Sequence, residues 1–274
     1  MTTALRPLTT GELLDRTFSL YRSHFVLFVA IFALPHLCVL AFQCLAFAFR
    51  TPPNLRFDAA AVLMGMFWGF GALVLTLIVS AASQAATVVA VSQLHLDRPA
   101  GVMDSFSRVK NQVLGVTGLS LAVGFLVGLA CILLIVPGVL LALRWSLAVP
   151  VKVLENKDVG DSMSRSSQLT QGNRGRIFVI WLLFFILSIG VSLLLQWPIR
   201  IAAGIHTIFA VQPVASIWQV ASLIATFISE CLVGPLATIA FSLVYYDERV
   251  RKEAFDLQLM MSTLDAPALQ SAPA

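Results

Sequence analysis

Charge is what this sequence has least of. Asp, Glu, Lys and Arg together make up 12% of its 274 residues, against 58% hydrophobic residues. A soluble domain carries about 25% charged residues, so these few cannot coat soluble domains of this length. Disorder is excluded by the same numbers, because it needs low hydrophobicity and high net charge. Chemistry-bearing motifs are missing too. The sequence has no HExxH, no P-loop and no GxSxG, and its histidines (His24, His36, His95, His206) are scattered. No nucleophile has a recognisable partner at fixed spacing, so no enzymatic reading and no cofactor is supported. The four cysteines, Cys38, Cys44, Cys131 and Cys231, lie in apolar runs without CxxC spacing. They are expected to pack as small apolar residues, not to form disulfides or hold zinc. The alternating dyads of a membrane barrel are absent as well.

What is present is long apolar runs. Residues 23–49, 59–96, 111–143, 177–199 and 201–229 contain no charged side chain, and Glu230 then interrupts an apolar stretch that continues to Tyr246. About 20 apolar residues cross about 30 Å of hydrocarbon, and a helix satisfies its own backbone there. The expectation is an all-α polytopic membrane protein of about six spans. Pro137-Gly138 divides the third run and reads as a tight hairpin. It is followed by a short helix over 139–154 that holds Arg144, with a re-entrant segment as the competing reading. The run 59–96 is too long for one crossing. Its membrane part is expected at 60–82, with Gln84 to Leu96 as an inner extension.

Charge bias sets the orientation. With six spans, fourteen of the eighteen cations fall on one side, and Arg50, Arg56 and Arg200 on the other. The positive-inside rule then places both termini in the cytoplasm. Glu12 and Asp15 stand where a cleavable signal has its basic region, so the first span is expected to be retained. The net charge of +4 is loop charge suited to anionic headgroups. It calls for the lipid bilayer as partner and no nucleic acid.

Three short amphipathic helices are expected at the cytoplasmic surface. Thr9-Thr10-Gly11-Glu12 reads as a capping box that opens a helix with Leu14, Phe18, Tyr21 and Phe25 on one face and a Glu12–Arg16 pair. A second helix places Val102, Phe106, Val109 and Val113 together and pairs Asp104 with Arg108. A third carries Val159, Met163 and Leu169 and pairs Asp161 with Arg165. Their apolar faces suit the headgroup boundary. Each precedes two spans, so residues 1–261 read as one membrane domain with possible repeats over 8–96, 97–155 and 156–250. The stretch 262–274, rich in Ala and Pro, reads as a disordered tail.

Two charges remain in the spans, Arg144 and Glu230. Buried membrane charges pair or line a cavity, so they are either a bundle-locking pair or a substrate site. Gln43, Thr76, Ser80, Ser83, Gln84 and Gln196 are weaker polar candidates. At the end of the last span, Tyr245, Tyr246, Asp247, Arg249, Arg251 and Glu253 read either as a membrane-exit anchor or as a docking or headgroup-contact surface. In helical register Asp247 faces Arg251, Glu248 faces Lys252 and Arg249 faces Glu253.

The run Tyr245-Tyr246-Asp247-Glu248-Arg249-Val250-Arg251-Lys252-Glu253-Ala254-Phe255-Asp256-Leu257 resembles the closing signature of the bacterial glycerophosphoryl diester phosphodiesterase membrane-domain family. The opening Leu8 to Phe18 is similar to that family's N-terminal segment. So is the middle, with Pro137-Gly138, Arg144, Ser146, Leu147, Ala148, Pro150, Glu155, Ser166 and Leu169. The resemblance implies a multi-pass bacterial inner-membrane protein. The fused phosphodiesterase barrel that gives the family its name needs a His-Arg-Gly motif and metal-binding carboxylates, which this sequence lacks, so hydrolase activity is not implied. Two functional expectations follow. One is a non-catalytic scaffold or accessory module that contacts lipids or a membrane or cytoplasmic protein partner. The alternative is a small-solute or lipid transporter with a midplane site near Glu230. The oligomeric state is left open.

Overall fold

The computed structural model describes the backbone of residues 8–49, 59–209 and 215–270, and the side chains of 8–49, 59–204 and 217–253. Among the described residues every regular element is helical: α1 Thr10–Ser23, α2 Phe25–Ala48, α3 Ala59–His95, α4 Val102–Val109, α5 Val113–Leu133, α6 Ile135–Arg144, α7 Ala148–Glu155, α8 Val159–Thr170, α9 Arg174–Phe209 and α10 Ala215–Gln270. Six segments are long and apolar enough to cross a membrane: α2, α3, α5, α6 with α7, α9 and α10. The order of one short helix and then two spans occurs three times.

The core forms where α2, α3 and α10 meet. Phe28 and Ile31 of α2 pack with Ala81, Ala85 and Ala86 of α3 and with Ile239, Ala240 and Leu243 of α10. The alanines let the helix axes approach closely, as small residues do between membrane helices. The outer ends are clothed instead in large exposed side chains such as Phe67, Phe70 and Ile132, as a lipid-facing surface requires. In α3 the division is sharp. Its buried residues begin at Val79 and run to Gln93, so the expected inner, protein-covered extension is present, continuous with the membrane part as one 37-residue helix.

The second hairpin, within the third apolar run, turns earlier than expected. The break is Leu134, whose backbone is extended (φ −158°, ψ 131°), not Pro137-Gly138. Pro137 lies in the first turn of α6, where its missing N–H has no intrahelical acceptor to lose. Gly138 is needed for approach: a Cβ there would sit 2.2 Å from Cys131 Sγ and 2.8 Å from the Cys131 backbone nitrogen. The return limb is a helix broken at Trp145–Leu147, so α6 and α7 together make the fourth span. A break at this depth frees backbone groups that lipid cannot satisfy. α8 satisfies them. Ser166 Oγ accepts from Leu147 N–H (3.2 Å) and donates to Arg144 C=O (3.0 Å), and Thr170 Oγ1 donates to the same carbonyl (3.3 Å).

The three short helices pack inward. In α1 the buried face is Leu13, Thr17 and Tyr21, one step around from the expected Leu14/Phe18 face. In α8 it is Ser162, Ser166, Leu169 and Thr170. These faces are covered by the chain's own helices and not by headgroups, because the neighbouring ends of α3, α7 and α10 supply the apolar and polar partners. The Thr9–Glu12 capping box forms, and so does Asp104–Arg108, at 3.1 Å. Arg16 reaches His95 Nδ1 (3.4 Å). Asp161–Arg165 does not form, because Arg165 turns to Glu155 and Glu253.

One end of the bundle gathers the basic segments. Leu8 touches both Asp247 and Arg251, and Glu155 touches Tyr245. The start of α1, the end of α7 and the exit of α10 are therefore on one side, which needs an even number of crossings. Residues 135–155 run from the Leu134 turn back to that side and are not re-entrant. α10 continues as helix to Gln270, past the expected boundary at 261, since no Gly or Pro interrupts 254–265. Arg6, Arg50 and Arg56 lie outside the described residues.

Candidate functional site

Glu230 and Arg144 do not meet. Arg144 ends α6, ten residues below the Leu134 turn, and its Nε donates to Ser167 Oγ of α8 at 2.5 Å. Glu230 faces a cavity of about 340 Å³ between α2, α3, α9 and α10. The reason is vertical and rotational: α6 delivers Arg144 toward the short helix α8, while α10 packs on α2 and α9.

The walls of the cavity come from four helices. α2 contributes Phe32 and His36, and α3 contributes Ser80 and Gln84. α9 supplies Trp181, Phe184, Phe185 and Ser188, and α10 supplies Ser229, Glu230, Val233, Gly234, Ala237 and Phe241. Gly234 brings α2 and α10 together, since a Cβ there would lie 2.3 Å from the Phe32 ring. His36 stacks on Phe32 with centroids 5.6 Å apart and is 3% exposed. Its Nδ1 lies 2.8 Å from Phe32 C=O. A carbonyl only accepts, so Nδ1 carries the proton in this geometry. That leaves Nε2 directed at Glu230 Oε2, 3.6 Å away. The Glu230 side chain is 46% exposed, on a span whose surroundings are otherwise apolar.

Sequence reasoning found part of this site. It singled out Glu230, and Ser80 and Gln84 as weaker candidates. Gln196 lies elsewhere, bonded to Thr226 and Arg200. It missed His36, which had been set aside among scattered histidines, together with Ser188 and Ser229. The available signal was position: His36 falls at the centre of the charge-free run 23–49, and Glu230 is the one charge within the apolar stretch 201–246.

The exit of α10 is a second constellation, and it is turned inward. Tyr245 and Glu248 are fully buried and Asp247 is 5% exposed. Asp247 accepts from Leu8 N–H (2.6 Å), Arg176 (2.5 Å) and Arg251 (2.8 Å). Glu248 accepts from Asn173 (2.7 Å) and lies 3.7 Å from Arg176. It does not face Lys252, whose ammonium donates to Gln168 C=O and Gln171 C=O, the C-terminal carbonyls of α8, where a cation is favoured. Tyr245 Oη donates to Glu155 (3.0 Å), Arg165 bridges Glu155 and Glu253, and Arg249 pairs with Glu253 (2.5 Å). Tyr246 stacks on His95 at 4.8 Å. The expected Asp247–Arg251 and Arg249–Glu253 pairs form. The segment as a whole fastens α1, α7, α8 and α9 to α10.

Among the described residues no group of three or more His, Cys, Asp or Glu side chains is arranged to hold a metal ion. The four cysteines are free thiols. Against known proteins, no curated protein and no solved structure matches the chain. Residues 117–263 match one family model, the membrane domain of glycerophosphoryl diester phosphodiesterase. The match takes in the α10 exit run and the Leu147–Ser166 region, and leaves Leu8 to Phe18 outside it.

Proposed function

We propose that this chain, which belongs to the glycerophosphoryl diester phosphodiesterase membrane-domain family, is a non-catalytic binding and transport protein for a small solute or lipid, working at the Glu230 cavity. It is a multi-pass helical membrane protein, and the proposal sets it in the bacterial inner membrane with both termini cytoplasmic. One observation carries the reading. A carboxylate lies within a membrane-crossing segment, partly exposed, in a largely apolar cavity of about 340 Å³ that also holds His36, Ser80, Gln84, Ser188 and Ser229. An intramembrane charge of this kind is expensive unless a cavity or partner compensates it, and binding sites of membrane transporters lie at mid-depth between helices. The scaffold or accessory-module expectation, first of the two from the sequence, draws on the α10 exit as a docking surface. Those side chains are occupied inside the chain, so the cavity has the stronger claim.

The test is flux from proteoliposomes loaded with a panel of small solutes, comparing the wild type with Glu230→Gln at matched amounts of folded protein. The expected outcome is a wild-type flux for at least one solute that falls about tenfold or more in the variant. Unchanged flux, or a fall in folded protein with flux per molecule preserved, would make Glu230 structural and defeat the proposal.

A further inference from the structure

The polar groups of the cavity are short of partners. Among the described residues, the side chains of Ser80, Gln84, Ser188 and Ser229 have no hydrogen-bond partner within the chain, although all four line the same space. Ser229 is buried. In its neutral form, with the proton on Nδ1, His36 turns the Nε2 lone pair toward the Glu230 carboxylate, 3.6 Å away, so that two acceptors converge at the centre. Both ask for a donor. The lining contains no Lys or Arg, so nothing fixed there welcomes an anion.

The remaining walls are aromatic. Trp181 and Phe185 stack at 5.1 Å, and with Phe184 and Phe241 they present ring surface to the cavity. Ring faces attract cations, the more so away from water. The space also opens sideways: Glu230 is 46% exposed and Phe185 48%, so an occupant can keep an apolar portion toward lipid. A carboxylate, a lone pair, unpartnered hydroxyls and aromatic faces are together complementary to a compact cation with N–H donors and a short apolar stem.

We infer that the cavity binds an organic ammonium group, with Glu230 and His36 accepting its N–H donors and the α9 aromatic residues covering it. The inference rests on the proposed function and names its ligand class. A free alkylamine and an amine-bearing lipid headgroup share this chemistry.

The experiment uses the purified full chain and three probes of one size and different charge: propylammonium, n-propanol and propionate. Binding is followed by calorimetry and, on the wild type alone, by the rise in melting temperature, since a ligand that binds only the folded state raises it. Propylammonium should bind saturably and raise the melting temperature, while n-propanol and propionate do neither at equal concentration and ionic strength. Glu230→Gln should weaken propylammonium binding about tenfold or more, and Phe184→Ala should weaken it without abolishing it. Wild-type protein in nanodiscs of phosphatidylethanolamine and of phosphatidylglycerol separates the sources. Weaker apparent propylammonium binding in the former supports a lipid amine as occupant, and equal binding in both supports a free amine. Equal responses to propylammonium and n-propanol, or full propylammonium affinity in Glu230→Gln, would overturn the inference. Glu230-dependent binding of n-propanol or propionate alone would overturn the ammonium assignment while sparing the ligand site. No Glu230-dependent binding of any probe, together with unaltered flux, would remove both.

Discussion

Ser166 shows how much one side chain can decide in a membrane. It is fully buried and serves both ends of the break between α6 and α7. In Ser166→Ala, Arg144 C=O keeps its bond from Thr170, but Leu147 N–H loses its acceptor. The variant should lose about 1–2 kcal/mol, read as a lowered melting temperature of the detergent-solubilised protein. Thr170→Ala should lose less, because Ser166 still serves both groups. None of this was legible in the sequence, where Ser166 was only one position of a resemblance and the α8 face was assigned to Val159, Met163 and Leu169. Periodicity ranks residues by apolarity, and the α8 face that packs here is chosen by hydroxyls needed for a neighbour's backbone. His36 escaped for a similar reason. Its meaning comes from Glu230, almost two hundred residues away in sequence, and no local pattern records that proximity.

At the scale of elements, the short helices are held to the spans by specific polar contacts. α4 is tied to α3 by Asp104, which accepts from Gln93 (3.1 Å) and from Arg108 (3.1 Å). The hydrogen bond from Gln93 and then that from Arg108 hold the Asp104 carboxyl below its ordinary value. A carboxyl whose folded value is depressed stabilises the folded state above its unfolded pKa, and that contribution is lost as pH falls through the lower folded value. Protection of the α4 amides from hydrogen exchange should therefore fall as pH drops below the ordinary carboxylate range. In Asp104→Asn this component of the pH dependence should vanish. The elements themselves were largely readable, because charge-free runs mark spans and a capping box marks the start of α1. What the runs could not mark was an interior break such as Trp145–Leu147, which contains no Gly or Pro, or a turn as short as Leu134.

For the whole molecule, the arrangement of charge and the fold agree on sidedness. The segments rich in Lys and Arg meet at one end, where Leu8, Glu155, Arg176 and Arg251 are neighbours. With the four native cysteines replaced, a single cysteine at position 110 or 174 should be unreactive toward a membrane-impermeant maleimide added to intact cells, and one at position 56 should react. Labelling in the reverse pattern would invert the proposed orientation. The longest helix joins the two constellations of the molecule. Glu230 and Glu253 stand on the same helix, α10, 23 residues apart, which is about 34 Å along the axis, with Gly234-Pro235 between them. Pro235 removes one backbone hydrogen bond from that stretch, which makes the cavity level the natural place for α10 to bend. A tilt of about 5° pivoting at the cavity carries the Glu253 end through about 3 Å, as far as a hydrogen bond is long. A bend of α10 at the cavity would therefore be felt, magnified, at the clasp around Asp247, Arg249 and Glu253.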